Sequence, residues 1–247
     1  VVNQDTSTGG GLQSVHLAAG NDFHHLAVAA TLAAGVVGVS PAVEVTVLAN
    51  TTMAFVDSGA TVNARNDMAV QAHAREDLVL LGFGIAAGTV GVGGSVNVLT
   101  LNNTTVASLA GTIFAGGDAL VYATDDTSLT AVSGALGAGF VGVGGSQGVM
   151  IVNKNTQAFV ADGTRVDARG NGTGLSGVLN GATISGGKDL GTMTANGLIV
   201  QAQSSEKVYH FSIAAAGGFV GVSGAVGVTL ISSNTTAYIG VNTLINQ

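Results

Sequence analysis

Gly139-Phe140-Val141-Gly142-Val143-Gly144-Gly145-Ser146 decides how this chain is read, because three relatives of it recur. They are Val36-Val37-Gly38-Val39-Ser40-Pro41-Ala42-Val43, Thr89-Val90-Gly91-Val92-Gly93-Gly94-Ser95-Val96 and Phe219-Val220-Gly221-Val222-Ser223-Gly224-Ala225-Val226. Each has a Val-Gly-Val centre, then small residues, then alternating apolar positions. Recurrence at a fixed period is the signature of a repeat architecture. With the central glycines Gly38, Gly91, Gly142 and Gly221 as origins, an alanine follows sixteen positions later in every copy (Ala54, Ala107, Ala158, Ala237). A valine follows at plus seven (Val45, Val98, Val149, Val228), and an alanine precedes at minus nineteen (Ala19, Ala72, Ala123, Ala202). The spacings are 53, 51 and 79, and the long one holds an insertion of 26 residues at 171–196. The whole chain, 1–247, therefore reads as a single repetitive segment with one insertion loop in its third repeat.

Within each repeat the local period is two. Val43, Val45 and Val47 alternate with Glu44 and Thr46, and Val96 and Val98 flank Asn97. Such alternation of β-branched residues, punctuated by Asn-Thr, Asp-Gly and Gly-Gly, predicts short strands separated by turns. The predicted fold is all-β, a right-handed parallel β-helix built from repeats of about 51–53 residues. At roughly 25 residues per turn, each repeat is expected to make about two coils, for a rod on the order of 40–50 Å long. The Asn-Thr segments at Asn50, Asn103, Asn155 and Asn234 are expected at turns, with Asn and Thr ladders running up the stack.

Composition narrows the function classes. Of 247 residues 47% are hydrophobic, only 4% aromatic and 9% charged, with 39 glycines and one proline. Small apolar side chains without bulky anchors suit repeated close stacking. Lys and Arg total seven against fourteen acids, a net charge of -7, which argues against nucleic acid or an anionic membrane as partner. With no cysteine, disulfides and thiolate metal sites are excluded. A cysteine-free chain of this composition, beginning at Val1 without a visible signal peptide, reads as a piece of a longer secreted protein. No charge falls between Leu78 and Gly117 or between Val208 and Gln247, so one set of faces is uncharged and open to a second layer or another molecule. The Leu78–Leu101 window is long and apolar enough for a membrane helix, but six glycines and period-two branching disfavour insertion.

Candidate chemistry is sparse. His16, His24, His25, His73 and His210 share no repeat column, and His24 and His25 are expected on opposite faces of a strand. Asp67 and Asp118 do share a column, read as turn aspartates bonding their own backbone. Asp125-Asp126 is the pair to test for a β-helix polysaccharide lyase or hydrolase. The glycine runs lack the following Lys-Ser/Thr or helix of a phosphate loop. No catalytic residue, cofactor or metal is assigned. In the insertion, Asn180, Lys188 and Asp189 are the candidate interaction loop.

The Val-Gly-Val-Gly-Gly-Ser-Val-x-Val block, then Asn-Thr-Thr-x-Ala, then Gly-Ala-x-Val-x-Ala and Leu-x-Val-x-Ala resembles the repeat region of large bacterial filamentous adhesins of the leukotoxin type. The likeness covers nearly the whole chain, apart from 171–196 and the first dozen residues. It implies an extracellular or cell-surface β-solenoid, exported through an outer-membrane route, with no catalytic residues to carry over. The expected function is a stiff stalk or filament that mediates attachment or extracellular assembly. Expected partners are further copies, end to end or side by side, or a host or neighbouring-cell surface. A β-helix carbohydrate-active enzyme or a glycan-binding module is the alternative.

Overall fold

The computed structural model describes residues 12–183 and 190–247. Three long strands carry the fold: β1 (Val15–Val56), β3 (Met68–Leu109) and β5 (Ala119–Val160), each of 42 residues. Short strands β2 (Thr61–Ala64), β4 (Thr112–Ala115) and β6 (Arg165–Ala168) follow them in turn. A hairpin of β7 (Leu175–Thr183) and β8 (Leu190–Ala195) comes next, then β9 (Leu198–Gly217), β10 (Val220–Ile239) and β11 (Leu244–Ile245). The long strands form one parallel sheet in the order β1-β3-β5, with β9 and β10 both paired to β5. The short ones form a second parallel sheet, β11-β6-β4-β2. The chain is thus an all-β stack of parallel coils, a solenoid, and β7 with β8 is its antiparallel exception.

The pairing register equals the sequence repeat. Val15 lies beside Met68, Met68 beside Ala119 and Ala119 beside Leu198, without slippage along the long strands. The alanine and valine columns that define the repeat are therefore physical columns: Ala54 meets Ala107, Ala107 meets Ala158 and Ala158 meets Ala237. This corrects the expectation of two coils per repeat. One repeat is one coil, and four coils at about 4.8 Å each rise only about 15–20 Å. The strands are long because the pairing runs on through a corner. Asn50-Thr51-Thr52 and Asn103-Thr104-Thr105 lie inside strands, and the turn they were expected to form comes later, at 57–60 and 110–111.

The corner sits at Val36, Thr89 and Phe140, where the Cα pairing skips one residue, and between Gly217 and Val220 in the last coil. It divides each coil into a first arm (15–35 in β1) and a second arm (37–56) that lie face to face. The side chains between them set the spacing. Leu78 and Leu80 of the first arm pack with Leu99 and Leu101 of the second, and with Leu129, Met150 and Val152 of the next coil. Towards the corner the inward positions shrink to Gly84, Ala86, Gly91 and Gly93, so the arms converge and the cross-section tapers. A Cβ on Gly137 would overlap the carbonyl oxygen of Val143 on the facing arm. Hydroxyl pairs fill the intermediate depth: Ser146 donates to Ser133 at 2.9 Å, and Ser40 to Thr31 at 2.8 Å.

The wide end of the wedge is closed by the short sheet. Val62, Ile113 and Val166 of β2, β4 and β6 pack on Val56, Leu109 and Val160 from the second arms and on Val70 and Val121 from the first arms. Each such fully buried aliphatic side chain contributes about 1.5–3 kcal/mol relative to exposure. Gly111 at the entry to β4 has φ +87, and a Cβ there would strike the Ala60 carbonyl. Asp67 and Asp118 do not cap their own turns. Asp67 accepts the backbone N–H of Asp118 at 2.9 Å, and Asp118 accepts that of Gly197 at 2.6 Å. Each carboxylate staples its coil to the next.

Candidate interaction surfaces

Since successive side chains of a strand alternate in direction, filling the wedge with small inward residues sends the large ones outward. On the second arm three outward rows across the coils are pure valine, the first of them Val37, Val90, Val141 and Val220. Val45, Val98, Val149 and Val228 form one row, and Val39, Val92, Val143 and Val222 another. In the first coil Val43, Val45 and Val47 are more than 60% exposed. Between those two valine groups runs a row of Pro41, Gly94, Gly145 and Gly224. No ionisable residue points outward between Val37 and Val47 or at the equivalent positions of the other coils. The outward face of the first arm is apolar too near the corner, with Leu26, Val28, Phe83, Ile85, Phe211 and Ile213 exposed. There, however, the surface is uneven, since the Phe83 ring occupies the space over Gly134. Phe140 and Phe219 stack at the corner itself, ring centroids 5.2 Å apart.

Inside the wedge a charged group is sealed between the arms. The Lys154 ammonium lies 2.7 Å from Asp125 and 3.3 Å from Glu206, and both Lys154 and Asp125 side chains are wholly buried. Glu76 lies in the same layer, accepting from Thr127 at 3.1 Å and from Asn50 at 3.4 Å. Burial pushes its carboxyl up to about 7, and the neighbouring Asp125 charge adds to the rise. Burial also raises Glu206, but hydrogen bonds from Ser204 and Ser233 and the Lys154 ammonium outweigh it and hold that group below the usual carboxylate range. The one ammonium is shared by Asp125 and Glu206, so Glu76, buried beside Asp125, is the carboxyl of this layer whose ionisation is most disfavoured.

Asp125 and Asp126 are therefore not a pair of facing carboxylates. Asp125 points inward to Lys154, while Asp126 points outward into a groove between the first arms and the β7–β8 hairpin. This groove, about 850 Å³, has a floor of Tyr122, Asp126, Gln203 and Tyr209 and a wall carrying Leu179 and Leu190. The hairpin is tied down by the Leu179 N–H, which donates to Gln201 at 2.9 Å. Of the candidate loop residues, Asn180 accepts the N–H of Ala182 at 2.9 Å, a local turn contact. Lys188 and Asp189 lie outside the described residues.

His24 and His25 do take opposite faces: His24 sits outside by Asp22 and Asp77, and His25 faces Thr46 across the wedge. His210 also faces inward, 2.9 Å from Thr229. Among the described residues no group of three His, Cys, Asp or Glu is placed to hold a metal ion, and no helix is long and apolar enough to cross a membrane. Sequence reasoning passed over Lys154, and it did not separate the outward glycines from the inward ones. Lys154 had a signal, since it is the one cation in a column whose other members are Asn50, Asn103 and Ser233.

A scan of family models, a search of curated proteins and a search of solved structures each return no match to this chain.

Proposed function

We propose that this chain is a structural segment of a secreted or cell-surface protein, a stiff β-solenoid that serves attachment or extracellular assembly. The observation that carries this reading is the unbroken register of four near-equivalent coils, with apolar faces turned outward on both sides of a narrow wedge, the second-arm one rich in valine. A scaffold of this kind resists bending because every backbone group of an inner coil is paired above and below, and its side chains interlock with both neighbours. The resemblance to filamentous adhesin repeats points the same way. Electron microscopy and fibre diffraction of the concentrated protein test it. Rods or sheets with a meridional spacing of about 4.8 Å are the expected result, whereas dispersed particles at every concentration would count against an assembly role.

A second reading rests on the groove beside the hairpin. Two of the three tyrosines of the chain, Tyr122 and Tyr209, line it together with Asp126 and Gln203. Flat apolar rings beside carboxylate and amide groups match the alternating apolar faces and hydroxyl edges of a saccharide. Binding of the intact chain to a glycan array, lost on deletion of 171–196, would support a glycan-binding role, and unchanged binding would dismiss it.

A further inference from the structure

The glycines of the Val-Gly-Val-Gly-Gly block divide into two groups with different surroundings. Those pointing inward are explained within the molecule: a Cβ on Gly142 would lie 2.5 Å from the Gly217 carbonyl oxygen and 2.6 Å from that of Gly137. Those pointing outward are not. A Cβ on Gly145 or Gly224 would meet nothing within 4 Å, and one on Gly94 only the Gly145 oxygen at 4.0 Å. Nothing among the described residues requires glycine in that row, and glycine weakens a strand. Over Gly94, Gly145 and Gly224 the row is an open groove along the stack axis, closed at the first coil by Pro41 and walled on one side by Val39, Val92, Val143 and Val222.

We infer that the second-arm face is an isologous interface with a second copy of this chain, the valine row of each copy seated in the glycine groove of the other. This rests on the structural role proposed above and names the partner. Three observations choose a second copy. Eleven residues at about 3.3 Å and four coils at about 4.8 Å make a face of about 700 Å², close to the roughly 800 Å² per partner of a stable protein interface. The face carries no charge although the chain as a whole carries -7, so like copies meet there without repulsion. Apart from Gln147 and Leu230 its side chains beside the groove are Val, Ile and Thr, short and β-branched, which suits sheet-on-sheet packing at about 10 Å. A lipid-facing surface would be expected to carry an aromatic belt, and the chain has no tryptophan.

Sedimentation velocity on the whole chain from about 1 to about 100 µM tests this, a range matched to interfaces of this size. The expected result is a monomer–dimer or higher even-numbered equilibrium. Gly94→Leu with Gly145→Leu fills the groove without touching the fold and is expected to weaken association at least about 30-fold, with circular dichroism and melting unchanged. Val98→Lys with Val149→Lys is a second, independent block. Wild-type protein that stays monomeric throughout overturns the inference, as do variants that associate like wild type. Capture of the monomer on phosphatidylcholine vesicles, abolished by the same variants, would overturn it in favour of lipid. A chain that forms 4.8 Å-spaced rods yet ignores these substitutions would refute the interface and leave the structural role standing.

Discussion

At the scale of single residues, the fold depends on which way each small side chain points. Gly142 and Gly145 are three positions apart in one motif, but only the first lies between the arms. Gly142→Ala is expected to destabilise by about 1–3 kcal/mol, because the added methyl meets backbone that cannot rotate away. Gly145→Ala, facing open space, is expected to leave the melting temperature unchanged or slightly higher; a thermal scan of the two proteins compares them directly. The buried ion group sets a second contrast. Lys154→Met strands Asp125 without its partner inside the wedge and is expected to cost about 3–5 kcal/mol, read from denaturant midpoints. Glu76 makes a pH-dependent contribution of its own. Its folded-state pKa of about 7 lies above its ordinary value, so the folded chain binds more protons than the unfolded one between those limits. Its contribution is most favourable below the ordinary carboxylate range and is lost as pH rises through about 7. Glu76→Gln should therefore raise the melting temperature at pH 8 and change it little at pH 4. Equal shifts at both pH values would mean that folding leaves the Glu76 pKa at its ordinary value.

At the scale of elements, the β7–β8 hairpin is an addition to a coil that is complete without it. The turns that lead into β3 and β5 have three residues, Arg65-Asn66-Asp67 and Gly116-Gly117-Asp118. Removing 171–196 would leave Arg169-Gly170-Gly197, a turn of the same length. Its backbone bonds already exist: Arg169 N–H to Ala115 O at 3.0 Å, Gly170 N–H to Gly117 O at 2.8 Å, and Ala119 N–H to Gly197 O at 2.9 Å. Deletion is thus expected to preserve the strand signature in circular dichroism and to move the melting temperature by only a few degrees. Loss of cooperative unfolding would show that the hairpin holds β9 in place. The register on either side of the hairpin was legible in the sequence, because the alanine columns resume after it. The length of the strands was not. A corner that every coil makes at the same residue leaves the ladder intact, and period-two alternation carries no mark of a bend except the change of inward parity across Val36, Thr89 and Phe140.

At the scale of the whole molecule, the charge and the apolar surface separate along the cross-section. Asp57, Arg65, Asp67, Asp118, Asp162, Arg165, Asp167 and Arg169 ring the short-strand end, while the tapering end is uncharged outside. The uncharged windows at 78–117 and 208–247 already indicated such a division, and the repeat spacing indicated a stack of coils. A longer array of the same coils would lengthen the valine face in proportion, so association should strengthen with coil number. Comparing this chain with a two-fold tandem copy of it by sedimentation checks that, and equal affinities would place the contact at a fixed local site instead.

The sequence by itself determined the repeat, its register and the β character, because each of these depends on local alternation and on positions that recur at fixed spacing. The tertiary structure alone decided that one repeat makes one coil, that Lys154 meets Asp125 and Glu206 inside it, and which glycines of the Val-Gly-Val-Gly-Gly block are buried. These follow from where the strand turns back on itself. That corner depends on the facing arm as much as on its own residues, so it assigns each side chain an inside or an outside that no single stretch can specify.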